Sequence, residues 1–359
     1  MEKIIDVSAV FSIDAEVSQV RPLGNGLIND TYLVVTTSGK GYVLQRINHL
    51  IFKDVPLLQD NIAKITAHIR AKLQASGETE IDRKVLDFIP VKDGGKTFFF
   101  DGESYWRMSV LIADSVTVET VSEESAYCAG KAFGHFQSML VDLKEDIGET
   151  IPDFHNMELR ARQLADAVNA DAAGRCSDPE INDLLAEIDQ NVEEMCKAER
   201  LHREGLLPKR ICHCDTKVSN MLFDKQGSVL CVIDLDTVMP SFIFSDVGDF
   251  LRTAANKVAE DCPEIDKVAF DMQIFKAFIK GYLESSSVFL TTVEKENLPY
   301  AAALFPFMQA VRFLTDYING DTYYKIAYPE HNLVRTRNQM ALFRSVLSQM
   351  DQMKAIVSE

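Results

Sequence analysis

The sequence predicts an α+β chain in two lobes, a small lobe on an antiparallel sheet over residues 1–113 and a larger, mainly helical lobe over 114–359. Three observations carry this. Short β-branched and aromatic runs punctuated by Gly-rich turns dominate the first lobe, with a single helical stretch among them. Beyond residue 113 apolar side chains recur at three- and four-residue spacing over long segments. A chain of 359 residues also exceeds what one ordinary core accommodates.

In order, residues 17–23 read as a strand running into Gly24-Asn25-Gly26. Residues 31–37 (TYLVVTT) and 42–47 (YVLQRI) are strands on either side of Ser38-Gly39-Lys40-Gly41, which makes an antiparallel meander. Residues 57–73 carry apolar side chains at helical spacing. Residues 84–91 and 97–100 are expected as a hairpin across Asp93-Gly94-Gly95, and 105–112 (YWRMSVLI) as a further strand. In the second lobe, 122–143, 157–170 and 178–203 are helix-patterned, and a strand-rich island spans 210–237. Helical patterning resumes over 246–258, 268–285, 292–317 and 336–356.

Composition excludes several classes. Acids outnumber bases 54 to 37, a formal charge of −17, which argues against nucleic acid or an anionic membrane as partner. It does not argue against a small phosphorylated ligand, because a pocket can override the global sign. The longest apolar run, 299–311, is broken by Pro306 and Gln309 and falls short of the ~20 residues of a membrane span. Seven cysteines show no regular framework, and the N-terminus carries acids where a secretion signal has an apolar run, so a reduced, cytoplasmic protein is expected.

The chemistry concentrates in residues 211–249. His213-Cys214-Asp215 is followed five residues after Asp215 by Asn220, and nineteen after it by Asp234, at the end of an apolar run. Asp224-Lys225-Gln226-Gly227 permits a hairpin between Asn220 and Asp234. Phosphoryl transfer from ATP needs a carboxylate to hold the attacking hydroxyl and oxygen ligands to fix Mg²⁺ on the phosphates. Asp215 suits the first task, and Asn220 with Asp234 the second. The pattern H-x-D-x4-N, then a strand ending in Asp, is the protein-kinase-like signature in its small-molecule form. A helix cap beside a surface Asp pair is the bland alternative. Gly24-Asn25-Gly26 is placed as a phosphate-covering loop would be, and residues 105–113, with Ser109 and Leu111, end the lobe as an extended segment able to offer backbone groups to adenine.

This segment resembles the aminoglycoside phosphotransferase and choline kinase superfamily. GLINDTYLV, IDLDTVMP and RFLTDYINGDTYYKIAYPEHNLVRTRNQ further resemble N-acetylhexosamine 1-kinases, which use Mg-ATP to phosphorylate the anomeric hydroxyl of N-acetylglucosamine or N-acetylgalactosamine. The resemblance runs from about residue 11 to 339. It implies a two-lobed protein-kinase-like fold, with nucleotide on the first lobe and sugar against the second. It implies Asp215 as general base or as the group orienting the sugar 1-hydroxyl, Asn220 and Asp234 as magnesium ligands, and Asp236 as an assistant to the metal or to the loop geometry. His213, Asp246 and Asp249 would support the catalytic loop, and Arg312, Asp316 and Tyr323 would form the sugar wall.

Two positions depart from the wider kinase pattern. Gln45 stands where a phosphate-pairing Lys is usual, and Arg46 alternates to the opposite face. The helix over 57–73 has Asp60 as its only acid, so the Glu partner of such a Lys is missing too. The residues leave open a choline, ethanolamine, homoserine or aminoglycoside kinase, with Tyr317, Tyr323 and Tyr324 as a conceivable aromatic cage. They also leave open a nucleotide-binding regulator without catalysis. Gly94-Gly95-Lys96-Thr97 fails the P-loop spacing at Pro90 and reads as a turn. Cys212, His213, Cys214 and Cys231 lack zinc spacing, and Trp106 reads as core. His331 and Arg335 suit either ligand contact or anchoring of the last helix.

Overall fold

A computed structural model describes residues 2–24, 28–118 and 120–358. In chain order the elements are α1 (Glu2–Val10), β1 (Val17–Pro22), β2 (Asp30–Thr36), β3 (Gly41–Ile47), α2 (Val55–Ala75), β4 (Phe98–Phe100) and β5 (Tyr105–Val110). Then come α3 (Glu123–Leu140), α4 (Met157–Ala170), α5 (Pro179–Met195), α6 (Lys197–Arg203), β6 (Arg210–Cys212), β7 (Met221–Phe223), β8 (Val229–Val232) and β9 (Met239–Ser241). The chain ends with α7 (Phe244–Ala254), α8 (Met272–Ser286), α9 (Thr292–Glu296), α10 (Leu298–Ile318), α11 (His331–Leu347) and α12 (Met350–Ser358). Two compact units result. One comprises Met1–Val118, Met139–Pro152 and Asn220–Met239; the other comprises Glu119–Ser138, Asp153–Ser219 and Pro240–Glu359. The fold is α+β, one unit built on an antiparallel sheet and the other helical. The first unit also takes in 139–152 and 220–239, segments beyond the expected lobe boundary at 113.

In the first unit the described strands form a five-stranded antiparallel sheet in the order β1-β2-β3-β5-β4. The pleat decides which side chains enter its core. Tyr42 and Leu44 of β3 join Val34, Trp106 and Met108 in one core, whereas Gln45 and Ile47 turn to the other face. The helix α2 starts where the Asp54 carboxylate accepts the Leu57 N–H (2.9 Å), with Pro56 in its first turn. It buries Leu58, Ile62, Ile65 and Ile69, the stripe its spacing predicts. Two local features differ from the sequence reading. Residues 84–91 make single bridges, Phe88 to Ser109 and Val91 to Phe11, instead of a strand. The N-terminal helix α1 was not expected; with Phe11 behind it, it covers the sheet core beside Trp106.

In the helical unit α10 is apolar on nearly every face and packs against α11, α7 and α4. A Cβ at Gly248 of α7 would lie 2.2 Å from Phe305 and 2.6 Å from the Ala301 carbonyl, so only glycine allows α7 to approach α10 this closely. Two expected single helices are pairs: 178–203 divides at Cys196, and 292–317 at Asn297; the Thr291 capping box opens α9, and Pro299 stands in the first turn of α10. Among the described residues no helix is long and apolar enough to cross a membrane.

Candidate active site

Residues 213–216 form a loop whose backbone is held almost amide by amide. The Asp246 carboxylate, at the start of α7, accepts from the N–H of His213 (3.0 Å) and of Cys214 (2.7 Å). The Asp215 N–H donates to Nδ1 of His213 (3.3 Å), and the Thr216 N–H to Asp249 (3.1 Å). The Thr216 hydroxyl donates to the Asp246 carbonyl (2.7 Å). Gln137 donates to the Asp246 carboxylate (2.7 Å) and accepts from the Tyr282 hydroxyl (2.6 Å). Burial pushes the Asp246 carboxyl above its ordinary range, and His213 together with these donors opposes that push. His213 is wholly buried, edge-on to Phe133 and Phe136. The loop needs such support because Cys214 has a left-handed backbone (φ 63°), uncommon for a side chain with a Cβ.

Asp215 projects from this loop, and the Lys217 ammonium lies 2.8 Å from its carboxylate. Burial works against the Lys217 charge, but Asp215 and Asp249 outweigh it and hold the ammonium above its usual range. Lys217 lies inside the H-x-D-x4-N motif and went unremarked in the sequence, because the motif names only the residues on either side of it.

In the sheet-built unit, β7 and β8 form the expected hairpin. Asp224 closes it: its carboxylate accepts the N–H groups of Gln226 and Ser228 (both 2.8 Å), with Gly227 at φ 87°. Met221 is registered opposite Val232, and the Ile233 N–H donates to the Asn220 carbonyl (2.9 Å). Asn220 and the turn bearing Asp234 are thereby neighbours across the hairpin. Asp234 is exposed and left-handed (φ 60°, ψ 57°). An amide oxygen and a carboxylate are hard oxygen donors of the kind a divalent cation takes beside phosphate. Asp236, two residues on, is buried, and its carboxylate is engaged by Arg107 and by Asn29 (2.7 Å).

The residues expected as an acceptor wall lie together in the helical unit, with partners the sequence did not disclose. Arg312 donates to Gln309 (3.0 Å), and its guanidinium lies 5.6 Å from the ring centres of both Phe154 and Tyr324. His155 stacks on Phe154 (4.3 Å) and meets Phe305 edge-on. Burial pushes the His155 imidazole well below its ordinary range; Arg312 and Arg160 add to this, and Asp215 opposes it. Burial and then Arg312 also lower Arg160, to about 10. One neighbourhood therefore holds Asp215, two arginines and a neutral histidine. Nδ1 of His155 and Nε of Arg160 have no hydrogen-bond partner there. Asp316 is committed to backbone: its carboxylate accepts from the N–H groups of Thr322 (2.9 Å), Tyr323 (2.8 Å) and Tyr324 (2.9 Å) and from the Asn332 amide (2.9 Å). It builds the loop that carries Tyr323, which is two-thirds exposed. His331 and Arg335 tie the same loop to α11 through the Ala327 N–H (3.1 Å) and the Lys325 carbonyl (3.3 Å).

The model of the phosphotransferase enzyme (APH) family matches residues 19–278. The chain belongs to that family. Its fold is protein-kinase-like, as solved structures bear out. It is similar to an aminoglycoside phosphotransferase from Alicyclobacillus acidocaldarius subsp. acidocaldarius, at 16% identity over 98% of this chain and 97% of that one, with a TM-score of 0.63. It is also similar to a choline kinase from Cryptosporidium parvum (13% identity, 98% and 96% covered, TM-score 0.58). A third likeness is to amicoumacin kinase hAmiN, solved in complex with AMP-PNP, Ca²⁺ and Ami (13% identity, 95% and 92% covered, TM-score 0.61). At such identities these likenesses speak for the fold.

The expected nucleotide-side residues of this phosphotransferase are distributed as follows. Gly24 has φ 71°, which suits a glycine turn; Asn25 and Gly26 lie outside the described residues. Gln45 and Ser109 are sheet residues on β3 and β5, and Ser109 is buried. The Leu111 N–H donates to the Gly41 carbonyl (3.1 Å), so that donor is already used. Trp106 lies in the sheet core, its indole N–H donating to Asp101 (2.9 Å).

Proposed function

We propose that this phosphotransferase transfers the γ-phosphoryl group of ATP, with Mg²⁺, to the anomeric hydroxyl of an N-acetylhexosamine, either N-acetylglucosamine or N-acetylgalactosamine, giving the sugar 1-phosphate. The family supports the transfer, and the IDLDTVMP and C-terminal segments support the sugar. The observation that carries the acceptor class is the cationic neighbourhood of Asp215. A choline, ethanolamine or aminoglycoside acceptor brings a positive charge to a site already holding Arg160 and Arg312. An aromatic cage is also taken up from within: the Arg175 guanidinium lies 4.1 Å from the Tyr317 ring centre, and Arg312 lies over Tyr324. A neutral polyol with an amide carbonyl instead finds N–H donors in Arg312 and Arg160.

In the mechanism, Asp215 orients the anomeric hydroxyl and accepts its proton as the O–P bond forms. The bond from the γ-phosphorus to the bridging oxygen breaks, and ADP leaves. Lys217, paired with Asp215, offers positive charge to the moving phosphoryl group. Asn220 and Asp234 fit Mg²⁺ by donor type, and the ion bound there would neutralise charge on the phosphate oxygens.

An ADP-release assay with Mg-ATP tests this against N-acetylglucosamine, N-acetylgalactosamine, glucose, galactose, choline, homoserine and kanamycin. Turnover on the N-acetylhexosamines with loss of the reducing end is the expected result. Turnover confined to an amine-bearing acceptor would overturn the sugar assignment. Nucleotide binding without transfer to any acceptor would favour the regulator.

A further inference from the structure

The sheet of the first unit raises a question that its own geometry answers. Gln45 occupies the strand position of the missing lysine, and α2 offers no glutamate; Asp60, its acid, is exposed and paired with Lys64 one turn on. The β3–β5 register sets Gln45 directly opposite Arg107. Arg107 is buried, and its Nε–H donates to the Gln45 side-chain oxygen (2.9 Å). Its Nη1 donates to the Asp236 carboxylate, and its guanidinium lies 5.7 Å from the Phe88 ring centre. The other Asp236 oxygen accepts from the Asn29 amide (2.7 Å), and the Asn29 oxygen accepts the Asn48 N–H (2.9 Å). The Asp236 carbonyl accepts from the Thr150 hydroxyl (2.9 Å). One buried residue, Asp236, thus ties together β5, the segment after the glycine loop, the end of β3 and residues 139–152.

What this network holds is the turn bearing Asp234. That residue is left-handed, a conformation uncommon outside glycine and open to aspartate without being fixed by it, so the bonds to Asp236 are what can hold the turn in place. A buried ion pair is poor evidence of stability, since its desolvation offsets its attraction, so the pair is better explained by the geometry it specifies. We propose that Arg107 is the positioning residue for the Asp234 turn: through Asp236 it fixes the carboxylate that meets the metal–nucleotide complex, without itself contacting phosphate. The kinase pattern joins a strand lysine to a helix glutamate. Here the sheet cation lies one strand over, and its carboxylate lies on the metal-binding turn itself. This rests on the phosphotransfer reading above. It gives Asp236 the part of an anchor, the loop-geometry part of the two that the resemblance implies.

Equilibrium binding of ADP with and without Mg²⁺, by titration calorimetry, tests it on the full chain, alongside the melting temperature of each variant. Arg107→Met should reduce the gain in ADP affinity that Mg²⁺ confers by about tenfold or more, the usual effect of removing a residue that orients a metal ligand. Metal-free ADP affinity should stay within about twofold. Arg107→Lys should recover part of the loss, and Asn29→Ala, which removes a single hydrogen bond, should show a smaller loss of the same kind. If Arg107→Met does not fold, Arg107→Lys and Asn29→Ala carry the test. A lowered melting temperature with an unchanged Mg²⁺ gain would overturn the proposal in favour of a purely structural pair. An equal fall in metal-free affinity would overturn it in favour of direct phosphate contact. Absence of any Mg²⁺ gain in the wild type would overturn the phosphotransfer reading as well.

Discussion

Asp316 offers the sharpest separation between touching an acceptor and building the surface that touches it. Its carboxylate is buried and accepts four N–H groups, three of them from consecutive residues of the 322–324 segment. Asn332 bridges it to Asp321, which in turn holds Arg175 (2.6 Å). Each bond to an ionised acceptor contributes about 1.5–3 kcal/mol, but the exposed amides of Thr322 and Tyr323 regain water once the loop opens. A net loss of about 3 kcal/mol on Asp316→Ala is therefore expected, confined to the loop. That shifts the loop's closing equilibrium by about a hundredfold. If the binding-competent state falls to a tenth, the apparent acceptor affinity falls about tenfold. Asp316→Asn keeps one oxygen and should lose about half the energy, because its NH2 meets the Tyr324 and Asn332 donors. Steady-state kinetics at saturating Mg-ATP should show the acceptor KM raised and the ATP KM unchanged. Hydrogen exchange should show amides 322–324 deprotected. Protected amides in Asp316→Ala, or a hundredfold fall in kcat at constant acceptor KM, would refute the reasoning and put Asp316 among the groups that touch substrate.

Three further predictions follow from named contacts. Asp215→Asn should lower kcat by about 10³-fold while leaving ADP affinity within about twofold, since the lost group serves the proton and not the nucleotide; stopped-time product assays and calorimetry measure the two. Gly248→Ala forces a Cβ to within 2.6 Å of the Ala301 carbonyl and into Phe305, and should cost about 3 kcal/mol or prevent folding, read by denaturant titration. Glu199 is buried, and burial raises its carboxyl from 4.5 to about 7; the Met157 N–H (2.6 Å) and Arg203 oppose that rise, and Glu158 adds to it. The folded state therefore holds the proton more tightly than the unfolded state. The stability this contributes is complete below about pH 4.5 and is lost as pH rises through about 7, about 3 kcal/mol in all. Glu199→Gln should flatten that slope and be the more stable form at pH 8; an unchanged slope in chemical denaturation from pH 5 to 8 would assign the effect elsewhere.

Much of the architecture is legible in the sequence because it is written locally. Strand patterning and Gly turns mark β1, β2 and β3, and helical spacing marks α2. The 213–234 constellation is contiguous along the chain, with the Asp224-to-Gly227 turn showing how its ends return to each other. What the sequence conceals depends on register and on shared partners. Arg107 becomes the partner of Gln45 only through the β3–β5 pairing, across 62 residues of chain. Residues 84–91 look like a strand, yet their amides are spent singly, Ile89 on the Met108 carbonyl and Val91 on Lys96. The apolar pattern runs unbroken through Cys196 and Asn297, where the capping geometry breaks the helices. The resemblance makes Asp316 a wall residue, and its spacing cannot reveal that three downstream amides fold back onto it.

Global charge and local charge give opposite answers about the acceptor, and distance decides between them. A net charge of −17 draws cations toward the molecule, which by itself would suit choline or an aminoglycoside. At physiological salt that field decays over about 8 Å, so it governs encounter and not seating. Seating is governed by the charges that meet the acceptor itself, and burial gives each of them more weight. His155 is neutral because desolvation and two guanidinium groups favour the uncharged ring, and Arg160 is itself lowered by Arg312. A site that already holds two guanidinium groups repels a further cation brought close to them. A carbonyl or hydroxyl oxygen can instead accept from Arg160 and Arg312. An acceptor with hydroxyls and an amide carbonyl, and no ammonium group, therefore fits these residues, whereas the acidic surface alone would have pointed to a cation.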